Sequence, residues 1–158
     1  MKPLNAVANH ILSLVDTETG DSITNLKLQK LVYYAQAWSL ALRGRPLFDD
    51  EIKAWQHGPV VPELWHRFRD YSYNAIDTAK ELAKPDGRSE ELSEDERAHI
   101  VEVFNAYGSM SAKQLEFMTH QDDPWIEARR TARPDDNSPL MSKDSITAFF
   151  SEKAADGA

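Results

Sequence analysis

The sequence predicts a mainly α fold, a single compact domain of about six or seven helices with one small β-hairpin. Three observations carry that prediction. Apolar residues recur at i, i+3 and i+4 through most of the chain, the period of a helix that lays one face on a core. Ser or Thr heads several of these runs, twice with Glu or Gln three residues later, which is how a helix start satisfies its free N–H groups. Candidate strands are confined to short stretches around residues 46–55. At 158 residues the chain has the length of one domain with a real core.

The elements follow in order. Leu4, Val7, Ala8, Ile11, Leu14 and Val15 form an amphipathic stripe, with Pro3 in its first turn. A loop through Gly20 follows. Thr24 caps a second helix whose stripe is Leu28, Leu31, Val32, Ala35, Trp38 and Leu42, ended by Gly44 as a left-handed cap. On that helix Lys27, Lys30, Tyr33 and Gln36 are expected nearer the outer face. Pro46–Phe48 and Glu51–Trp55 are expected to pair as the hairpin, and Gly58-Pro59 to break the chain. Pro62 opens a helix to about Asp70 with Val61, Leu64, Trp65 and Phe68 apolar. A short helix is expected over Ala75–Leu82, then a loop over KPDGRS.

Ser93–Glu96 and Ser111–Gln114 are capping boxes. The first starts a helix with Ile100, Val101, Phe104 and Tyr107 inward, ended by Gly108. Asp123 before Pro124 caps a helix to about Arg130. Residues 133–141 are irregular, and Ser142 caps a last helix holding Ile146, Phe149 and Phe150. The domain is expected over residues 1–151, with a tail from Glu152 that frays.

Composition excludes several functions. The formal charge is −8, and no run of Lys and Arg supplies the basic stripe that phosphate contacts need, so a nucleic-acid partner is not expected. Asn25, Lys27, Gln29 and Lys30 are residue types that can read bases, but they lack basic flanks. There is no cysteine, hence no disulfide, thiol nucleophile or cysteine zinc site. The five histidines form no HExxH or H-x3-H arrangement, and no metal or other cofactor is predicted. No G-x-S-x-G elbow and no phosphate loop occurs. The acidic runs fall at turns and helix starts, where they complement the helix dipole. The N-terminus lacks a continuous apolar signal core and no stretch reaches about 20 apolar residues, so a cytoplasmic location without a membrane partner is expected.

The remaining signal is aromatic. Residues 23–71 hold three of the four tryptophans, and Tyr33, Tyr34, Trp38, Trp55, Trp65, Tyr71 and Tyr73 are too many for one central core. Trp and Tyr are common anchors of protein interfaces.

The run LKLQKLVYYAQAW, Leu26 to Trp38, resembles the helix that marks the Panacea domain of SocA-like antitoxins and phage-associated GepA-like proteins. Pro46-Leu47-Phe48, the stretch Ile52 to Val60 with Trp55 and His57-Gly58-Pro59, and Pro62-Glu63-Leu64 follow in matching order and spacing, as does the opening helix with Ala6 to Ile11. The resemblance covers about residues 3–130. It implies a helical antitoxin, not an enzyme, that neutralises a cognate protein toxin by direct contact. It leaves open a second route, in which the protein delivers its toxin to a cytoplasmic AAA+ protease. No catalytic residues come with the family. Lys27, Lys30, Tyr33, Trp55 and His57 are the expected partner-binding residues, the first three by sharing a helix face. The competing classes are a small hydrolase using His57 with an acidic partner and a nucleic-acid-binding regulator; neither has a motif behind it.

Overall fold

Helices begin close to where their caps predict. The computed structural model describes residues 4–157. Among these residues lie eight α-helices: α1 (Leu4–Leu14), α2 (Asn25–Trp38), α3 (Pro62–Phe68), α4 (Thr78–Leu82), α5 (Glu94–Tyr107), α6 (Ala112–Thr119), α7 (Asp123–Thr131) and α8 (Lys143–Asp156). Thr24 accepts the Lys27 N–H at 3.2 Å, and both capping boxes form around Ser93 and Ser111. Helix α7 starts one residue earlier than the sequence suggests. Asp122 occupies its cap position without making a cap bond, because its carboxylate is turned inward.

Helix α2 is the axis of the molecule. It packs against α1, α3, α5, α6 and α8, and one strand of the hairpin lies along it. Its buried residues are Asn25 and every position from Leu28 to Ala37. The core continues outward through Ile11 and Leu12 of α1, Leu64 and Phe68 of α3, Ile100 of α5, Leu115 of α6 and Phe150 of α8. No helix among the described residues is long and apolar enough to cross a membrane.

A hairpin is present, but it joins different segments from the expected ones: Pro46–Phe48 forms no strand, and only the end of the Glu51–Trp55 stretch pairs, with the residues that follow it. Strands β1 (Lys53–Trp55) and β2 (Gly58–Val60) pair antiparallel, Ala54 opposite Pro59, and the chain turns at Gln56-His57. The Gly58-Pro59 pair that reads as a breaker is therefore strand. Gly58 takes φ +112°, open to glycine, and Pro59, with no N–H to offer, stands opposite Ala54. The other edge of β1 is covered by residues 139–141: the Ala54 N–H donates to the Pro139 carbonyl at 2.8 Å, and the Met141 N–H to that of Ile52 at 2.9 Å.

Other expectations need correction. Lys30, Tyr33 and Gln36 are not on an outer face but wholly buried, because α2 is packed on most sides. Leu42, expected in the buried stripe, is 60% exposed. Residues Ser39–Arg43 form a π-helical turn, whose wider winding rotates Leu42 off the line set by Trp38. On α5, Val103 and His99 are buried, whereas Val101, Phe104 and Tyr107 are only half-buried. The last helix runs from Lys143 through Asp156.

Candidate partner-binding surface

Buried polar groups are costly unless hydrogen-bonded, so the polar side chains of α2 show what that helix does. Gln29 accepts the Val61 N–H at 3.0 Å and donates to Asn25 at 2.9 Å, and Asn25 donates to the Trp65 carbonyl at 3.1 Å. These bonds fix the start of α3. Gln36 accepts the Leu47 N–H at 2.7 Å and donates to the Phe48 carbonyl at 2.8 Å, clamping the loop after the π-turn. Lys27 donates to the Gly108 carbonyl at 2.7 Å, at the end of α5. The Tyr33 hydroxyl donates to Asp122 at 3.0 Å, at the start of α7.

Lys30 reaches the Pro59 carbonyl of β2 at 3.3 Å. A Cβ on Gly58 would lie 2.8 Å from the Lys30 Cε and 2.8 Å from the Thr119 hydroxyl, so only glycine lets the strand close over the lysine. Burial pushes the Lys30 ammonium down to about 7, against the opposing pull of the Glu116 carboxylate. Burial likewise raises the Asp122 carboxyl to about 6, with the Tyr33 hydrogen bond and the Lys153 charge pulling it back. Burial, followed by the nearby Asp122 charge, raises the Tyr33 phenol well above its ordinary range.

Above this polar frame lies a surface built by the hairpin, α6 and α7. His57, at the tip, is 67% exposed and its Nδ1 lies 3.1 Å from Glu116. Trp55 is half-buried, edge-on to Trp65 at 5.8 Å, with its indole N–H on the Ser138 hydroxyl at 2.7 Å. The Trp125 indole N–H holds the Trp55 carbonyl at 2.9 Å, and Arg129 holds that of Ala54 at 3.0 Å. His120 stacks on Trp125 with ring centres 4.2 Å apart. Phe117, one residue after Glu116 and one turn before His120, is 67% exposed.

Of the five expected contact residues, the structure brings Trp55 and His57 together on this surface. Lys27 is half-buried with its amine engaged, and Lys30 and Tyr33 have no accessible surface worth the name. His57 does meet an acid, Glu116, as a hydrolase reading would want. That pair is nonetheless on open surface, and neither residue lines the cavities of 240, 260, 310 and 420 Å3 among the described residues. Among the described residues no group of three or more His, Asp or Glu side chains is placed to hold a metal.

The family model described as "Antitoxin SocA-like, Panacea domain" matches residues 28–126, from the middle of α2 into α7. The chain belongs to the SocA-like Panacea-domain antitoxin family. It is 32% identical over 131 residues to the protein named Antitoxin SocA of Caulobacter vibrioides (strain NA1000 / CB15N), a match that covers 76% of this chain and 66% of that protein. No solved structure matches it significantly.

The matched segment gives the Panacea-domain signature a physical meaning in this chain. Within it Gln29, Lys30, Tyr33 and Gln36 are interior ties, and the His57-Gly58-Pro59 run is the lid over Lys30. The residues of this surface that sequence reasoning missed are Glu116, Phe117, His120 and Trp125. One signal was available for Phe117: it stands two residues from Leu115 in a helix whose start the Ser111 capping box sets, and so lies on the face opposite the core.

Proposed function

We propose that this chain is the antitoxin of a toxin–antitoxin pair, acting in the cytoplasm by binding its protein toxin directly and not by catalysis. The toxin lies against the hairpin tip, α6 and α7, with His57, Phe117 and the open edges of Trp55 and Trp125 as contacts. The observation that carries this reading is an exposed phenylalanine and histidine beside two half-buried tryptophans, on a platform tied down by the bonds of Trp55, Trp125 and Arg129. Aromatic anchors on a pre-organised frame lose little conformational entropy on binding. The family membership supports a toxin as the partner. Lys30 and Tyr33 contribute by holding the platform, not by touching the toxin.

The test is co-expression with the protein encoded by the neighbouring gene, scored for growth and co-purification. Growth rescue with a stable complex, lost in Phe117→Asp and His57→Ala variants that melt like wild type, supports the reading. Rescue without any detectable complex contradicts it. Toxin half-life in the same cells separates holding from delivery to a AAA+ protease: holding leaves it unchanged or longer, and delivery shortens it.

A further inference from the structure

A second surface lies away from the hairpin, where α2 runs into its π-turn beside α5. Two adjoining cavities of about 260 and 420 Å3 share Leu42, His99 and Glu102 and together make one open groove. Trp38, Val103 and Tyr107 line its apolar part. Leu42 stands on its wall, 60% exposed, while α8 packs against the same turn. A leucine displayed by a π-turn is left mostly unburied inside this chain, and local π-windings are frequent at functional sites.

The two walls carry opposite charge. The turn side presents Arg43 and Arg45; the α5 side presents Asp95 and Glu102, seven residues apart and so on one helix face. Ala98 and Ala106, both exposed, leave that face low beside Leu42. Among the described residues no ion pair joins Arg43 or Arg45 to Asp95 or Glu102. A partner of uniform charge would meet one wall with like charge. A surface that carries the projecting leucine and the low face, the positive wall and the negative wall, matches itself.

We propose that this groove joins two copies of the chain in a two-fold symmetric dimer. A two-fold axis along the groove lays each π-turn on the other copy's α5. Leu42 then enters the low face over Ala98 and Ala106, Arg43 and Arg45 meet Asp95 and Glu102, and each contact is made twice. The net charge of −8 on each copy opposes association, so the apolar contact and the paired walls both have to form. The hairpin surface stays free for another partner.

Sedimentation velocity over a concentration series tests this. Wild type is expected to show a reversible dimer. Leu42→Asp should raise the dissociation constant by about tenfold or more, with an unchanged thermal melt. Arg45→Glu and Glu102→Arg should each weaken self-association. Mixed in equal amounts, those two variants should form a heterodimer, because each reversed side chain then faces its opposite. A wild type that stays monomeric at the highest soluble concentration overturns the proposal. So does a dimer indifferent to Leu42→Asp, or a failure of the two charge variants to pair. A monomer whose Leu42→Asp variant loses toxin capture would assign the groove to the toxin and likewise overturn the dimer.

Discussion

Residues 25–38 and residues 39–43 follow one another along a single helical run, yet they treat side chains in opposite ways. The first stretch buries Asn25, Gln29, Lys30 and Gln36; the second exposes Leu42. Residue type would assign them the other way round. What differs is enclosure. Helix α2 is packed on most sides, so these four polar residues point into protein, and each bonds a backbone group of another element. The π-turn is covered by α8 and open toward α5, so an apolar residue can be left outside. The first region is a frame; the second, like the hairpin tip, is a surface.

The contrast breaks most readily at Gln36. Its amide satisfies both a backbone N–H and a backbone carbonyl in the interior, and Gln36→Ala orphans both and leaves a cavity. A loss of about 4 kcal/mol is expected in denaturant unfolding; a loss below about 1 kcal/mol would mean that the loop at Leu47-Phe48 holds itself.

Lys30 sharpens the contrast through pH. Its pKa is depressed in the fold from 10.5 to about 7. The folded state therefore releases its proton first, and stability should rise as pH climbs from about 7 toward 10.5 and level off above that. Below about 7 the cost of the buried charge is borne in full. Lys30→Met should remove that dependence, flattening a difference on the order of 4 to 5 kcal/mol, and should be neutral or stabilising at pH 7. An unchanged pH profile would mean that the amine is hydrated and not covered by Gly58.

Gly58→Ala tests the lid itself. Positive φ and contacts of 2.8 Å to Lys30 and Thr119 predict a loss of about 2 to 3 kcal/mol by thermal or chemical melting. Asp122 works in the opposite sense to Lys30. Its raised pKa means that stability is greatest when it is protonated and falls as pH rises from about 4 through about 6. Asp122→Asn keeps an acceptor for Tyr33 and should recover about 2 kcal/mol at neutral pH. The smallest effect belongs to the exposed region: Leu42→Asp should change monomer stability by no more than about 0.5 kcal/mol.

Much of this frame is visible in the sequence, though only in part for the right reason. Helix starts are local chemistry: Thr24, Ser93, Ser111 and Ser142 need only their own next residues, and all four accept the expected backbone N–H. Which face of a helix is inward depends on distant neighbours. Lysine and glutamine are usually solvated, so nothing local marks Lys30 or Gln36 as interior. The second strand of the hairpin is not legible because Gly58-Pro59 is ordinarily a breaker, and its place in β2 depends on Lys30 below and Ala54 opposite. Leu42 fitted an α-helical stripe that a π-turn displaces. Of the proposed binding surface, Trp55 and His57 are residues that the sequence reading also singles out. Glu116, His120 and Trp125 are not, because the hairpin brings them together across 59 or more residues, as the His57–Glu116 contact illustrates.

The central claim is that the signature polar residues build the protein while exposed aromatic residues hold its partner. The most direct test places Lys30→Met and Phe117→Asp side by side in the co-expression assay, with thermal melts of both. The account predicts that Lys30→Met still rescues growth and co-purifies the toxin, whereas Phe117→Asp melts like wild type and does neither. A folded Lys30→Met that loses the toxin while Phe117→Asp keeps it would place the interface on the signature helix and contradict the account.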